Sequence, residues 1–546
     1  MHQIVLRGGV IVDGTGTPAR RGDVGIDGDR ITKVGAGASS LRGHLEIDCG
    51  GLVVAPGFVD THSHSDLFVF AEPQLGMKVR QGVTTELLGQ DGISVAPVQK
   101  EHVSITRRLL AGLDGDPPEA PWSWLHVGEY LDALELARPA PDLAYLVPHG
   151  ALRTFAMGPD DREPTPVELS AMLAELERAL AEGAYGLSTG RIYPPCCYAQ
   201  TAELVALGSV LRRSGDVPIV VHMRSESDAI LEATDEMIAV ATKSGCRLHI
   251  SHFKIAGRYN APKADALLAR IELAQKRGVR VTCDQYPYAA GSTLLGAILP
   301  PWAHDGGADM TVKRLGDPSA RARMRAEMLE EHDCAWDNFW KWTGPRGITI
   351  SQIPSGRRPH LLGKSIEEAA RGAGHGEPLE FALDLLRDEA LGVGMVSHSQ
   401  DEAVVDRFLQ LPYVNVCTDA LLGGRPHPRA YGTYPRILGR YVRERKVLSL
   451  EEAVRKMTSQ AARAFGFEDI GTVAEGMRAN LVAFDPATVL DRATFAEPVA
   501  FPTGVEHVLI GGQSVVLRGE PLPGTRPGRV MRRGSRGKQL PPWQTT

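Results

Sequence analysis

Cysteine is scarce: seven residues in 546, at positions 49, 196, 197, 246, 283, 334 and 417. None lies in a CxxC spacing. An odd count in so long a chain argues against a disulfide framework and for a reducing cytosol, so a cytoplasmic protein is expected. Long apolar runs are also missing. No stretch of about 18 apolar residues occurs, so no membrane-spanning helix and no membrane partner are expected. The segment Met1–Val5 lacks the basic and apolar regions of a secretory leader. Positive charge is not in excess: 60 Lys and Arg stand against 66 Asp and Glu, a net charge of −6. That balance argues against a dedicated nucleic-acid binder. Glycine shows no period of three, which excludes collagen.

What is present is an ordinary folded composition, 43% hydrophobic and 23% charged. Glycine (59) and proline (37) are somewhat high, as in chains with many tight βα turns. The length allows several domains, although an α/β barrel spends 250 or more residues on one.

Both ends read as short strands and turns. Ile4–Leu6, Val10–Val12, Asp23–Ile26 and Ile31–Val34 are separated by Gly-Gly, Asp-Gly and Asp-Gly-Asp, which are hairpin signals. Leu481–Phe484, Val505–Ile510 and Ser514–Leu517 have the same texture. Two β-rich ends around a different middle suggest one small β domain built from both termini.

The middle alternates between apolar, β-branched runs and helical patterns. The runs are Leu52–Asp60, Val83–Leu88, Leu143–His149, Tyr185–Gly190, Ile219–His222, Leu248–His252, Val279–Asp284, Gly394–His398 and Val414–Asp419. Helical patterns cover Pro166–Glu182, Thr201–Ser214, Ser227–Ser244, Lys263–Arg277, Leu379–Glu389 and Ser449–Phe465. This is the βα signature of a parallel sheet covered by helices, and eight units would close a barrel. Nine strands are one too many, and Gly394–His398 is the weakest. The stretch from about Ala289 to Ser365 breaks the alternation and carries Pro300-Pro301-Trp302, Trp336, Trp340 and Trp342, as a lid or substrate-pocket insert would. From Thr525 onward the chain holds Arg526, Arg529, Arg532, Arg533, Arg536 and Lys538 and no acid, which predicts a solvated tail without fixed structure.

Polar residues end many of the runs: His62, His64, Asp91, His149, His222, His252, Asp284, His398 and Asp419. In a barrel these strand ends share one face. His62 and His64, at i and i+2 after Pro-Gly-Phe-Val-Asp, point to one side and can offer two imidazoles to one ion. His222 and His252 each close an apolar strand; either alone is as readily a hydrogen-bonded core histidine. His249 lies an odd step from His252 and is read as structural. Asp419 closes Tyr413–Thr418, where a carboxylate can ligate a metal or take a proton from activated water. An N-cap is the bland alternative, and Leu421-Leu422-Gly423-Gly424 is a poor helix start.

Taken together, these pieces resemble the amidohydrolase superfamily, and within it the D-aminoacylase (N-acyl-D-amino-acid deacylase) family. The resemblance runs from about Ile4 to Val516. It is most specific at Gly82–Glu86, His252-Phe253-Lys254, Asp284–Thr293 and His427–Arg436. It implies a TIM-like (β/α)8 barrel with a small β-sandwich from both termini. The implied boundaries are 1–56 and 469–524 for the sandwich, 57–468 for the barrel with its insert at about 289–365, and 525–546 for the basic tail. It implies hydrolysis of N-acyl-D-amino acids, one or two zinc ions, a small-molecule substrate, and a homo-oligomer as an open question. By position, His62, His64, His222 and His252 fall on metal ligands and Asp419 on the catalytic aspartate. Lys254, Tyr286, Ser292 and Arg429 fall on positions that hold the substrate, and a cation with hydroxyl donors suits its α-carboxylate. The sequence departs from the family in one place. Well-known members carry a cysteine ligand in a GNCG stretch where this chain reads Gly89-Gln90-Asp91-Gly92. Asp91 as a metal ligand is harder than a thiolate and admits Mn2+ or Co2+ beside Zn2+. The fourth run, Tyr185–Gly190, has no lysine to carbamylate, which makes a dihydroorotase or hydantoinase a poorer match. Hydrolysis of a cyclic amide or lactone on the same centre is one alternative reading, and a non-catalytic metal-binding scaffold is another.

Overall fold

The computed structural model describes residues 1–36, 41–330 and 336–534. Eight parallel strands carry the core: β1 (Phe58–Asp60), β2 (Val83–Leu88), β3 (Asp142–Tyr145, continued by Val147–Pro148), β4 (Leu187–Gly190), β5 (Pro218–His222), β6 (Arg247–Ile250), β7 (Val281–Gln285) and β8 (Val414–Val416). β1, β2 and β3 pair in order, and the continuation of β3 pairs with β4, followed by β5, β6, β7 and β8. A parallel bridge between Ser63 and Ala420 links the segment after β8 back to the one after β1. This is a TIM-barrel-type α/β fold with an additional β domain. The strands are buried almost throughout, which is why they read as near-continuous apolar runs.

The connecting helices end where local chemistry says they should. The helix Pro166–Glu182 has Pro at its first turn, a Thr165/Glu168 capping box and a left-handed Gly183 at its end. The expected Ser449–Phe465 helix is two, Leu450–Met457 and Ser459–Phe465, broken at Thr458.

The terminal strands form one nine-stranded sheet that joins both ends of the chain. Leu52–Asp60, read as one run, is divided between two sheets. Val53–Pro56 pairs with Val10–Ile11 and with Leu481–Phe484, while Phe58–Asp60 enters the parallel core. Gly57 makes the turn possible, because a Cβ there would lie 2.2 Å from the Thr84 side chain.

The ninth run is not a parallel strand. Gly394–Ser397 is the centre of a three-stranded antiparallel sheet, between Gly291–Leu294 and Ile348–Gln352. The excursion between β7 and β8 therefore continues past the expected limit at Ser365. Periodicity could not show this, since a short buried strand looks alike in either kind of sheet.

The basic tail also departs from expectation. Val530 bridges Leu143 alongside β3, the Met531 N–H donates to the Leu143 carbonyl, and Arg529 pairs with Asp469 at 2.7 Å. Met531 belongs to a buried apolar cluster with Val59, Leu146, Tyr185 and Phe467. The run of like charge misled because Asp142, Asp469 and Asp132, distant in sequence, meet these arginines. Residues 535–546 lie outside the described residues. Met531→Ala is expected to cost about 2–5 kcal/mol in urea unfolding, as for a core methionine. A change within about 0.5 kcal/mol would return the segment to a solvated surface.

Candidate metal centre and active site

Three buried site residues sit in turns that side chains rarely adopt. Asp91, after β2, has φ 55°; His252, after β6, has φ 35°; Asp419, after β8, has φ 48°. Such left-handed positions are found where the surrounding structure over-determines a functional geometry. The turn at Asp91 lies between Gly89 and Gly92, also at positive φ, and a Cβ on Gly89 would lie 2.2 Å from the Leu146 carbonyl. Asp419 is further held by its N–H, which donates to the His62 carbonyl at 2.9 Å.

Two groups of ligand-type atoms result. One is His62, His64, Asp91 and Asp419; the other is Asp91, His222 and His252; within each, the atoms lie within 4.8 Å of one another. Asp91 belongs to both. Its Oδ2 is 3.6 Å from the Nε2 atoms of His62 and His64, and its Oδ1 is 3.6 Å from His252 Nε2 and 3.9 Å from His222 Nδ1. Asp419 Oδ1 lies 3.5 Å from both His62 Nε2 and His64 Nε2.

These residues fit a pair of divalent ions. Neither ring nitrogen of His222 has a hydrogen-bond partner, and Asp91 Oδ1 has none, although all are buried. Buried polar atoms without partners are costly unless something satisfies them. Burial pushes the His222 imidazole down to about 3 despite the Glu226 charge, which leaves a neutral ring with a lone pair to donate. Imidazole and carboxylate together suit zinc, and Asp91 adds a harder donor than a thiolate.

Around this centre the sequence reading missed Glu226. Its carboxylate lies 3.0 Å from His252 Nδ1, 3.5 Å from His222 Nε2 and 2.7 Å from Lys254 Nζ. With Nδ1 turned to Glu226, His252 presents Nε2 towards Asp91, the arrangement of carboxylate–histidine support. Burial works against the Glu226 charge, but His222 and Lys254 overcome it and hold the carboxyl at about 2. The four-residue step from His222 was the only signal available. Asp114 was missed too. Both its oxygens are buried without a partner, and Oδ1 faces His64 Nδ1 at 3.6 Å.

The four expected substrate residues line the same cavity as the ligands. Arg429 is fully buried, 2.9 Å from Asp419 Oδ2, with its guanidinium over the Tyr286 ring at 4.4 Å. Burial would raise the Asp419 carboxyl, but the Arg429 and His62 charges overcome it and hold it below the usual range. Lys254 is bound to Glu226 and lies 2.7 Å from His252 Nδ1. The Tyr286 hydroxyl accepts from Gln400 at 2.9 Å, and the Ser292 hydroxyl donates to the Met395 carbonyl at 2.8 Å.

Other strand-end polar residues serve the scaffold. Asp284 takes the His252 N–H at 2.5 Å and faces His249 at 3.0 Å, in line with the structural reading of His249. His149 is enclosed with Glu203 and Thr189, and His398 lies edge-on to Phe495.

The profile described as "Amidohydrolase family" matches residues 45–516. N-acyl-D-glutamate deacylase of Alcaligenes xylosoxydans xylosoxydans is 37% identical over 531 residues, covering 97% of this chain and 96% of its own length. D-aminoacylase of the same organism is 33% identical over 531 residues, covering 97% of both chains. The crystal structure of N-acyl-D-glutamate deacylase from Bordetella bronchiseptica, complexed with zinc and a phosphonate mimic of the tetrahedral intermediate, matches with a TM-score of 0.82 at 34% identity. That match covers 97% of this chain and 99% of the other. No helix among the described residues is long and apolar enough to cross a membrane. The chain belongs to the amidohydrolase family, in its D-aminoacylase (N-acyl-D-amino-acid deacylase) group.

Proposed function

We propose that the protein hydrolyses the amide bond of N-acyl-D-amino acids, releasing a carboxylate and a free D-amino acid. One observation carries the reading: Asp91 joins two groups of histidines, and His64, His222 and His252 share a cavity with Asp419 and with the cations Lys254 and Arg429. His62, His64, Asp91 and Asp419 would hold one zinc ion, and Asp91, His222 and His252 the other. Zinc supplies Lewis acidity, polarising a carbonyl and lowering the pKa of water.

The chain's own residues do the rest. Arg429 and Lys254 take the α-carboxylate, with Tyr286 and Ser292 at its side. Asp419, ionised, accepts a proton from the attacking water as the carbon–oxygen bond forms. It returns that proton to the amide nitrogen as the carbon–nitrogen bond breaks. Glu226 holds His252 and Lys254 in place. A neutral cyclic amide or lactone offers no carboxylate to Lys254 and Arg429, which disfavours that alternative. A bare scaffold has no use for a buried cation pair over the ligands. For the architecture, we propose that the eight parallel strands close as a (β/α)8 barrel over 57–468, with a two-layered β unit from 1–56 and 469–524. The Ser63–Ala420 bridge supports closure.

With the carboxylate and the amide both fixed, the side chain has one direction left. Misplacing the reacting amide by about 1 Å costs roughly 10²-fold. N-acetyl-D-leucine is therefore expected to exceed N-acetyl-L-leucine by at least about 10² in kcat/KM at constant zinc. Equal rates would sink the carboxylate clamp, and preference for L would sink the D assignment.

A further inference from the structure

Asp91 is the residue common to both ligand groups. Its carboxylate oxygens stand 3.6 to 3.9 Å from the nitrogens of the four histidines, beyond hydrogen-bond reach. The carboxylate is therefore placed by the backbone that carries it. That backbone is the turn Gly89-Gln90-Asp91-Gly92, in which Gly89, Asp91 and Gly92 have φ of 77°, 55° and 68°. A residue with a side chain keeps such a conformation only where its surroundings impose it.

Ser188, in β4, imposes it. The residue is fully buried. Its hydroxyl donates to the Gly89 carbonyl and accepts the Gly92 N–H at 3.0 Å, so one oxygen is bonded to both ends of the turn, 99 and 96 residues away in the chain. The rest of the turn is held one side at a time. The Gly89 N–H donates to Asp66 Oδ1 at 2.9 Å, and the Gln90 amide donates to the Thr61 and Leu87 carbonyls at 2.9 and 3.0 Å. The Gly92 carbonyl accepts the Gly150 N–H at 2.8 Å. Among the described residues, Ser188 is the side chain that spans Asp91. Strand β4 reads Leu-Ser-Thr-Gly and has no lysine that could itself bridge two ions. It seats the turn that supplies the bridge.

We propose that Ser188 is a positioning residue of the metal centre: its hydroxyl locks the left-handed turn and thereby places Asp91 for both ligand groups at once. The inference rests on the two-ion reading above. Its consequence is coupling between the two groups. Without the hydroxyl, the Gly89 carbonyl and the Gly92 N–H each lose a buried partner, which favours opening of the turn. Asp91 then leaves both groups together, whereas loss of a ligand confined to one group weakens that group alone.

The test is zinc affinity, measured as two successive dissociation constants by competition with a chelator. In Ser188→Ala both constants are expected to weaken by about 10- to 100-fold, the usual cost of losing an outer support of a ligand. Ser188→Thr keeps the hydroxyl and suits a strand, and it is expected to hold both constants within about threefold of wild type. The visible absorption of the Co2+-loaded protein gives a second reading, because it reports ligand geometry and not stability. Ser188→Ala is expected to change that spectrum and Ser188→Thr to keep it. Met531→Ala, a core change in the terminal segment, is the control for lost stability, expected to lower the urea midpoint and leave both zinc constants unchanged. Wild-type constants in Ser188→Ala, loss at one group only, or Ser188→Thr as weak as Ser188→Ala would overturn the inference. Substrate enters none of these readings. Coupled zinc loss in Ser188→Ala, with no hydrolysis of any N-acyl-D-amino acid by the wild-type protein, would overturn the deacylase reading and leave the role of Ser188 standing.

Discussion

Asp419→Asn is expected to lower kcat/KM by at least about 10², and by up to about 10⁴, with the fold intact. The substitution keeps the size and removes the proton acceptor. It also leaves the Arg429 guanidinium, 2.9 Å away and fully buried, without its counter-charge. Because Asp419 stands with His62 and His64, metal at that group is expected to weaken. Metal at Asp91, His222 and His252, which does not include Asp419, is expected to remain. Titration of bound zinc beside initial rates checks both parts. Near wild-type turnover would remove Asp419 from proton transfer, and loss of both ions together would show that the two groups are not separable.

Lys78→Met is expected to destabilise the protein by about 3–5 kcal/mol. Lys78 is fully buried beneath the metal groups, at the seam between β1 and β8. Its ammonium reaches Asp60 at 2.7 Å, Ser63 at 2.8 Å, Thr418 at 2.9 Å and Glu86 at 3.1 Å. Asp60 in turn takes the Thr418 N–H at 2.8 Å, one residue before Asp419. Burial works against the ammonium, but the Asp60 and Glu86 charges overcome it and raise its pKa, so the ion pair is fully present at neutral pH. Removing one partner strands two buried carboxylates, which costs far more than the net worth of the pair. Adding Glu86→Gln to Lys78→Met is expected to recover part of the loss. Urea midpoints at constant slope measure this. A double variant no better than the single would show that packing, not stranded charge, sets the cost.

Much of the site is legible because strand periodicity and residue type coincide. His62 and His64 share a side by the two-residue period, and His222, His252 and Asp419 each end an apolar run. Asp91 is legible only as the residue standing where a family cysteine is expected. Its place in both ligand groups is not, since no local pattern encodes how close two pairs of histidines come. Glu226 and Asp114 escape for a related reason. They lie in loops, and only their distances to His252 and His64 distinguish them from surface acids. Ser292 is legible as a site residue, but its bond to Met395 is not, because that carbonyl lies 103 residues away in the excursion sheet.

The sequence by itself determined the parallel α/β class, the β-rich texture of both ends and the histidines and acids that close the apolar runs. Each follows from short-range regularities of period, turn chemistry and residue type, which survive in one dimension. Only the tertiary structure decided that Asp91 joins the two histidine pairs, that Gly394–Ser397 belongs to a separate antiparallel sheet, and that the basic segment through Gly534 is anchored. These depend on contacts such as Thr418 with Asp60, 358 residues apart. A barrel-type fold gathers its strand ends at one face whatever their separation in the chain, so the distances that make a site are set by closure and not by local pattern.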